Sequence, residues 1–339
     1  MVKFLKWIAL ALGVLILVGI PAVIGARPFL GPKARPLTTR RFEPTQARLD
    51  RGKYLVTSGQ TPCVMCHSPW DTSGAGPLVV PGREMTGRNW APDGVPFVTA
   101  LNLTPDPETG IGNISDDALA RAIREGIGRD GRALFPIMPY EHFRHMPDED
   151  LASVIVYLRS LKPVRNPLTP SAIPFPLNRL INGVPAPIDA PVTADLSTPE
   201  KRGAHIVDVA ACADCHSARD ERGNRPAGFE LAGGTAMAFE GRKTIYAANI
   251  TPAVNGIPYY TEDLFVEMMR TGKVKARPLD LMMPTAYYRN MTDEDLRAIF
   301  AYLKTLKPVD HFVDNTLPPT RCAKCGLVHP GGERNKKIS

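Results

Sequence analysis

Part of this chain is written twice. The stretch MPYEHFRHMPDEDLASVIVYLRSLKPV, from Met138 to Val164, returns from Met283 to Val309 as MPTAYYRNMTDEDLRAIFAYLKTLKPV, identical at 14 of 27 positions. Upstream, NLTP at Asn102 returns as NITP at Asn249, and RGKYLV at Arg51 as RGAHIV at Arg202. Whatever one copy folds into, the other copy is expected to fold into as well. The spacing predicts two related domains, residues 48–165 and 199–310, each of ordinary domain size. Between them, Pro163 to Pro191 holds eight prolines in 29 residues, so 166–198 reads as a stiff, extended linker. Residues 311–339 form a tail without periodic pattern.

The copies are expected to be helical. Leu151, Val154, Ile155, Leu158 and Leu161 follow the i, i+3, i+4, i+7 spacing of an amphipathic helix, as do Leu296, Ile299, Phe300, Leu303 and Leu306. Thr292 with Asp295 suits a helix start, Pro147 suits a first turn, and Ser115 and Thr261 suit N-caps. The intervening Gly-, Pro- and Asn-rich segments read as loops, and no run alternates as a strand. The 34 prolines in the chain argue against a compact bundle of long helices. A composition 44% hydrophobic and 22% charged excludes a wholly disordered one.

Residues 1–30 are set apart. Lys3 and Lys6 precede twenty uncharged residues from Trp7 to Ala26, enough for a helix across about 30 Å of bilayer. A cleaved signal peptide begins alike, but its apolar core is shorter and no A-x-A site follows here. The expectation is a retained transmembrane anchor. The excess of Arg and Lys after the run argues for a cytoplasmic body by charge alone.

Two five-residue strings carry the chemistry. Cys63-Val-Met-Cys66-His67 and Cys212-Ala-Asp-Cys215-His216 are both C-x-x-C-H, the pattern of covalent c-type haem attachment. Two thiols three positions apart can reach both vinyl groups of one porphyrin, and the adjacent imidazole then meets the iron. Half a zinc site, a thioredoxin-like pair and a disulfide are the competing readings of C-x-x-C. None requires a histidine immediately afterwards at matching places in a repeat. For the sixth iron ligand, Met138 and Met283 stand in matched Met-Pro pairs, and a thioether there raises the reduction potential relative to two histidines. Met146 and Met291 rank second. His142 and His145 are replaced by Tyr287 and Asn290 in the other copy, so they read as surface or propionate-facing groups.

Taken together, these motifs resemble two tandem class I c-type cytochrome domains, an all-α fold following one N-terminal transmembrane helix. LFPIMPYEHFRHMPDEDLASVIVYLRSL and NLTPDPETGIG most resemble the cytochrome c subunits of bacterial membrane-bound dehydrogenases. The resemblance implies two covalently bound haem c groups, on Cys63 and Cys66 and on Cys212 and Cys215. It makes His67 and His216 the proximal iron ligands and Met138 and Met283 the distal ones. Those subunits commonly carry three haems. Here Cys322-Ala-Lys-Cys325 is followed by Gly326 where a histidine would stand, with His329 three residues later. A disulfide, a partial metal site and a degenerate haem site all remain open for this pair.

The implied function is relay of single electrons. The implied partners are a membrane dehydrogenase, a quinol-oxidising complex or a terminal oxidase, and the membrane itself. The alternative is a dihaem enzyme such as a peroxidase or a thiosulfate-oxidising cytochrome. Because c-type haem is attached on the outer side of the energy-transducing membrane, the resemblance implies a single-pass inner-membrane protein with its haem domains in the periplasm, against the charge count. The formal charge of +7 suits an acidic redox partner, and no nucleic-acid motif accompanies it.

Overall fold

The structure is a computed structural model. It describes residues 27–71, 78–90, 95–220, 223–238 and 243–336, with scattered positions before residue 27. Six helices of ten or more residues stand among the described residues: α1 (Gln46–Thr57), α2 (Asp116–Glu125), α3 (Asp148–Ser160), α4 (Pro199–Val209), α5 (Glu262–Thr271) and α6 (Asp293–Thr305). Their starts follow the side chains. Thr45, Ser115, Thr198, Thr261 and Thr292 each accept the N–H three residues on, satisfying a donor the helix leaves free. Pro147 stands at the N-cap of α3, just outside the first turn. α2 and α5 end at left-handed glycines, Gly126 (φ +72°) and Gly272 (φ +69°).

The all-α expectation is corrected. Among the described residues, ten short strands pair antiparallel in five two-stranded ribbons, including Arg88–Asn89 with Thr99–Ala100 and Pro319–Arg321 with Val328–Pro330. Ribbons of two or three residues are too short to leave an alternating pattern in the sequence. The transmembrane helix is corrected too: among the described residues, no helix is long and apolar enough to cross a membrane. Most of the apolar run Trp7–Ala26 lies outside the described residues. Hydropathy is a property of composition, whereas a membrane span also needs about 20 residues in one continuous helix.

By its internal packing the chain divides into two units built from non-contiguous segments. One comprises Met1–Arg41, Ile114–Arg144 and Ala172–Ala190. In it, Arg35 forks onto Asp117 with two bonds of 2.8 Å and reaches Glu125 at 2.8 Å, while the Thr38 N–H donates to Asp117 at 2.6 Å. The chain from Arg35 to Thr38 is thereby strapped along α2. Tyr140, 2% exposed, fills the end of this helix, its ring where a Cβ on Gly126 would lie.

The other unit comprises Phe42–Asn113, His145–Ser171 and Pro191–Ser339. Here α1 crosses α3, and α4 crosses α6. Both crossings are made at glycine. A Cβ on Gly52 would lie 2.0 Å from the Ser153 carbonyl oxygen, and one on Gly203 would lie 1.9 Å from that of Ala298. The arginines beside these glycines hold the partner helix, Arg51 forking onto Asp150 at 2.8 Å and Arg202 reaching Asp295 at 2.5 Å. Asp295 also accepts bonds from Tyr54 (2.5 Å) and Gln60 (2.6 Å) of the other copy, so one buried carboxylate ties the two repeats together.

Two expectations follow. Gly52→Ala and Gly203→Ala force the helices apart and lower stability by about 2–3 kcal/mol despite alanine's better helix propensity, read as an earlier denaturant midpoint. The second concerns acid. Burial alone would raise the Asp117 carboxyl, but the bonds from Arg35 and Thr38 outweigh it and hold the group at about 2. Its folded value thus lies below the ordinary value of about 3.9, so its contribution is present above pH ~4 and is lost as pH falls towards 2. Asp117→Asn abolishes that part of the acid transition, measured by circular dichroism against pH.

Candidate haem-binding sites

Each C-x-x-C-H string sits just after a crossing helix. α1 ends at Ser58, the chain turns at Gly59 (φ +84°), and Cys63–Cys66 forms a single helical turn. α4 ends at Ala210, and Cys212–His216 forms the matching turn. One turn sets the two thiols on the same face, and all four thiols are free.

The histidines are oriented identically. His67 Nδ1 lies 2.7 Å from the Leu101 carbonyl oxygen, and His216 Nδ1 lies 2.7 Å from that of Ala248. A carbonyl only accepts, so each Nδ1 carries the proton and each Nε2 keeps its lone pair for a metal. Burial lowers both imidazole pKa values, favouring that neutral form. The loops presenting these carbonyls are braced by the repeated asparagines. Asn102 accepts from the N–H and hydroxyl of Thr104 and donates to the Val164 carbonyl at 2.7 Å. Asn249 accepts from the same groups of Thr251 and donates to the carbonyls of Val309 (2.9 Å) and His311 (3.0 Å).

The two strings lie close to one another. Burial pushes the Cys66 thiol up to about 12, with further contributions from Cys63 and from Cys215 of the second string. Burial likewise pushes Cys212 up to about 12 and Cys215 to about 11. The Tyr288 hydroxyl is raised by burial and then by Cys212, Cys215 and Cys66, and its side chain packs on the apolar cluster that Cys212 also touches. Its ring fills the space a Cβ on Gly59 would need. A recess lined by Gly59, Val64, Met65, Pro284, Tyr287 and Tyr288 runs along this junction.

The methionine candidates separate. Met146 and Met291 are each 2% exposed and serve as core filling at the starts of α3 and α6. Met138 and Met283 are half-buried in like turns, where the carbonyl accepts the N–H two residues on, at 2.8 and 2.7 Å. Met283 packs on the apolar cluster that Cys212 and Tyr302 also touch. Met138 belongs to the first unit, while Cys63, Cys66 and His67 belong to the second. His145 is a surface group paired with Asp208 at 2.6 Å. Arg88 is a residue the motif search missed: it is buried, its guanidinium stacks 3.6 Å from the Trp70 ring centre, and its charge acts on Cys66. Only the fold brings it to the first string, so no local pattern announces it.

These donors fit haem c: paired thiols in one turn, an imidazole with its lone pair free, and apolar surroundings. The asparagine braces carry a test. Asn102→Ala or Asn249→Ala leaves several buried groups without partners and costs on the order of 3 kcal/mol. The denaturant midpoint of the haem-loaded protein falls while the slope stays unchanged.

Comparison with known proteins agrees. A model of the cytochrome c family, "Cytochrome c", matches residues 200–307. The "Diheme cytochrome c-type" protein of Cereibacter sphaeroides is 31% identical over 275 residues, covering 77% of this chain and 86% of that protein. One component of the nicotinate dehydrogenase of Pseudomonas putida is 33% identical over 77% of this chain, but the chain spans only 21% of that component. The cytochrome c subunit of the quinone alcohol dehydrogenase of Gluconobacter oxydans is 28% identical over 86% of this chain and 61% of its own length. With matched C-x-x-C-H turns, carbonyl-bound histidines and a dihaem relative aligned over most of both lengths, the chain belongs to the cytochrome c family and binds haem c covalently.

Proposed function

We propose that this chain binds two haem c groups and relays single electrons between a dehydrogenase partner and a downstream acceptor. The observation that carries the reading is the matched pair of carbonyl-bound histidines, His67 and His216, in one packed unit. Each haem supplies a one-electron iron couple. The protein's own groups do the rest. The thiols of Cys63, Cys66, Cys212 and Cys215 fix each porphyrin, and the carbonyls of Leu101 and Ala248 hold each imidazole in register and raise its basicity. Met283, packed on the apolar cluster that Cys212 also touches, completes the coordination of the second iron, and its thioether raises that potential above that of a two-histidine site. Closed coordination of this kind separates a relay from a peroxidase-type enzyme, which needs an open or displaceable position.

The dehydrogenase partner is proposed from the names of the relatives, which include cytochrome subunits of alcohol and fructose dehydrogenases. The net charge of +7 favours transient docking against an acidic surface. The haem-bearing body is placed in the periplasm, the side on which c-type haem is attached in this family.

The test is pyridine haemochrome counting with optical redox titration. Two haems per chain are expected, falling to one in Cys63→Ala/Cys66→Ala. Met283→Ala removes near-infrared methionine–iron absorption. The same variant lowers one potential by on the order of 0.1–0.2 V, within the roughly 0.8 V range that axial ligands span. High-spin iron in the oxidised wild-type protein, with turnover of hydrogen peroxide, overturns the relay.

A further inference from the structure

The tail after the second repeat contains a cluster that electron relay does not use. The ligand atoms of His311, Cys322, Cys325 and His329 lie within 4.8 Å of one another, and all four residues are buried. We propose that these four side chains form a tetrahedral Cys2His2 zinc centre that pins the tail against the second haem site.

The geometry is close to what the ion requires. With Zn–S about 2.3 Å and Zn–N about 2.1 Å, a tetrahedron has S···N edges of about 3.6 Å. His311 Nε2 lies 3.3 Å from Cys325 Sγ. Each imidazole has its Nδ1 against a carbonyl, His311 on Ala232 at 2.8 Å and His329 on Pro330 at 3.3 Å. Both Nε2 atoms therefore keep their lone pairs, in the arrangement that orients metal-bound histidines. His329 Nε2 is buried without a hydrogen-bond partner. Leaving such an atom unsatisfied costs about 1–3 kcal/mol, a cost a metal ion removes.

The cysteines sit in a turn shaped for the same purpose. The Cys322 N–H donates to Leu327 (2.8 Å), the Gly326 N–H donates to Cys322 (2.9 Å), and the Leu327 N–H points at Cys325 Sγ (3.5 Å). Gly326, at φ +75°, supplies the left-handed residue that turns the chain back. This is the place where a haem motif would carry its histidine. The turn closes the ribbon Pro319–Arg321/Val328–Pro330, which sets His329 opposite Thr320. Asn335 then ties the ribbon by donating to His329 (2.7 Å) and Thr320 (3.1 Å). So short a ribbon buries too little apolar surface to stand alone, and small folds of this kind are usually held by a disulfide or a metal. The two thiols are free, and a disulfide would leave His329 Nε2 unsatisfied. Two thiolates with two imidazoles in a tetrahedron favour zinc among common divalent ions.

The repeat shows what the centre supports. His311 occupies the position of Asn166 at the repeat's offset of 145. In the first copy, Asn166 Nδ2 donates to the Thr86 carbonyl at 2.7 Å, and the next residue, Gly87, donates to the His67 carbonyl at 2.6 Å. In the second copy, His311 Nδ1 donates to Ala232, and Gly233 donates to the His216 carbonyl at 2.6 Å. The imidazole makes the amide's bond and has a second nitrogen left over. Gly234 (φ +92°) gives it room, since a Cβ there would lie 3.1 Å from the His311 ring.

The test uses the intact haem-loaded protein, and its readout is independent of haem number. Elemental analysis after dialysis is expected to give about one zinc per chain, and zinc-edge X-ray absorption to give two sulfur and two nitrogen neighbours. Cys322→Ser/Cys325→Ser loses the zinc and keeps its covalent haem. His329→Asn weakens zinc retention more than the 10–100-fold typical of losing a residue that only hydrogen-bonds to a metal ligand. A Cys322–Cys325 disulfide in the native protein, a wild-type protein that takes up no zinc even when supplied with it, or a different neighbour set in the absorption spectrum overturns the assignment.

Discussion

Two missing side chains govern this molecule. At Gly52 and Gly203 one helix lies directly on the backbone of another, close enough that a single methyl group would collide with a carbonyl oxygen. Backbone contact of this kind fixes the crossing more tightly than interleaved side chains do, because nothing flexible lies between the two chains. The crossing decides where each first helix ends, and each C-x-x-C-H turn begins a few residues beyond that end. The adjoining arginines add direction. Arg51 and Arg202 each sit one residue before the glycine and bind an acidic residue in the first turn of the crossing helix. A carboxylate there is doubly favourable, since the positive end of that helix stabilises it as well.

The attachment turns would be of little use if the histidines could rotate. Each ring is fixed by a backbone carbonyl on a loop that an asparagine ties to the segment just after the last helix. The last helix thus acts twice: it buries its apolar face against the first helix, and it delivers the segment that steadies the histidine loop. Orientation of the imidazole is a consequence of helix packing, transmitted through a buried amide. This is why the repeated Asn-x-Thr-Pro motif lies far in sequence from the thiols yet belongs to the same site.

What the sequence made legible depended on distance along the chain. The C-x-x-C-H strings, the capping Ser and Thr residues and the apolar stripes of the last helices are local patterns, and the structure places helices and turns at them. The ribbons escaped because two paired residues leave no alternation to detect. The apolar start of the chain suggested a membrane helix because hydropathy is also local, whereas a span needs about 20 residues in one continuous helix. Arg88 and His311 escaped for a different reason. Each gains its role from a neighbour brought up by the fold, Trp70 and Cys66 for one and the tail thiols for the other. His329 was noticeable only as a histidine three residues too late for haem.

Duplication offers a way to see how such a residue is acquired. The bond from Asn166 to Thr86 requires a donor at that position and nothing more. Histidine meets the requirement through Nδ1, so the substitution leaves the support of the proximal loop intact. Its Nε2 is then presented on the far side of the loop, buried and available. A tail that brings two thiols and a second imidazole to that nitrogen needs no change in the haem site itself. The first copy has an amide there, whose single nitrogen is already committed, and an amide cannot provide the same anchor. The asymmetry between the copies therefore follows from one position, where two side chains make the same bond and only one has a nitrogen to spare.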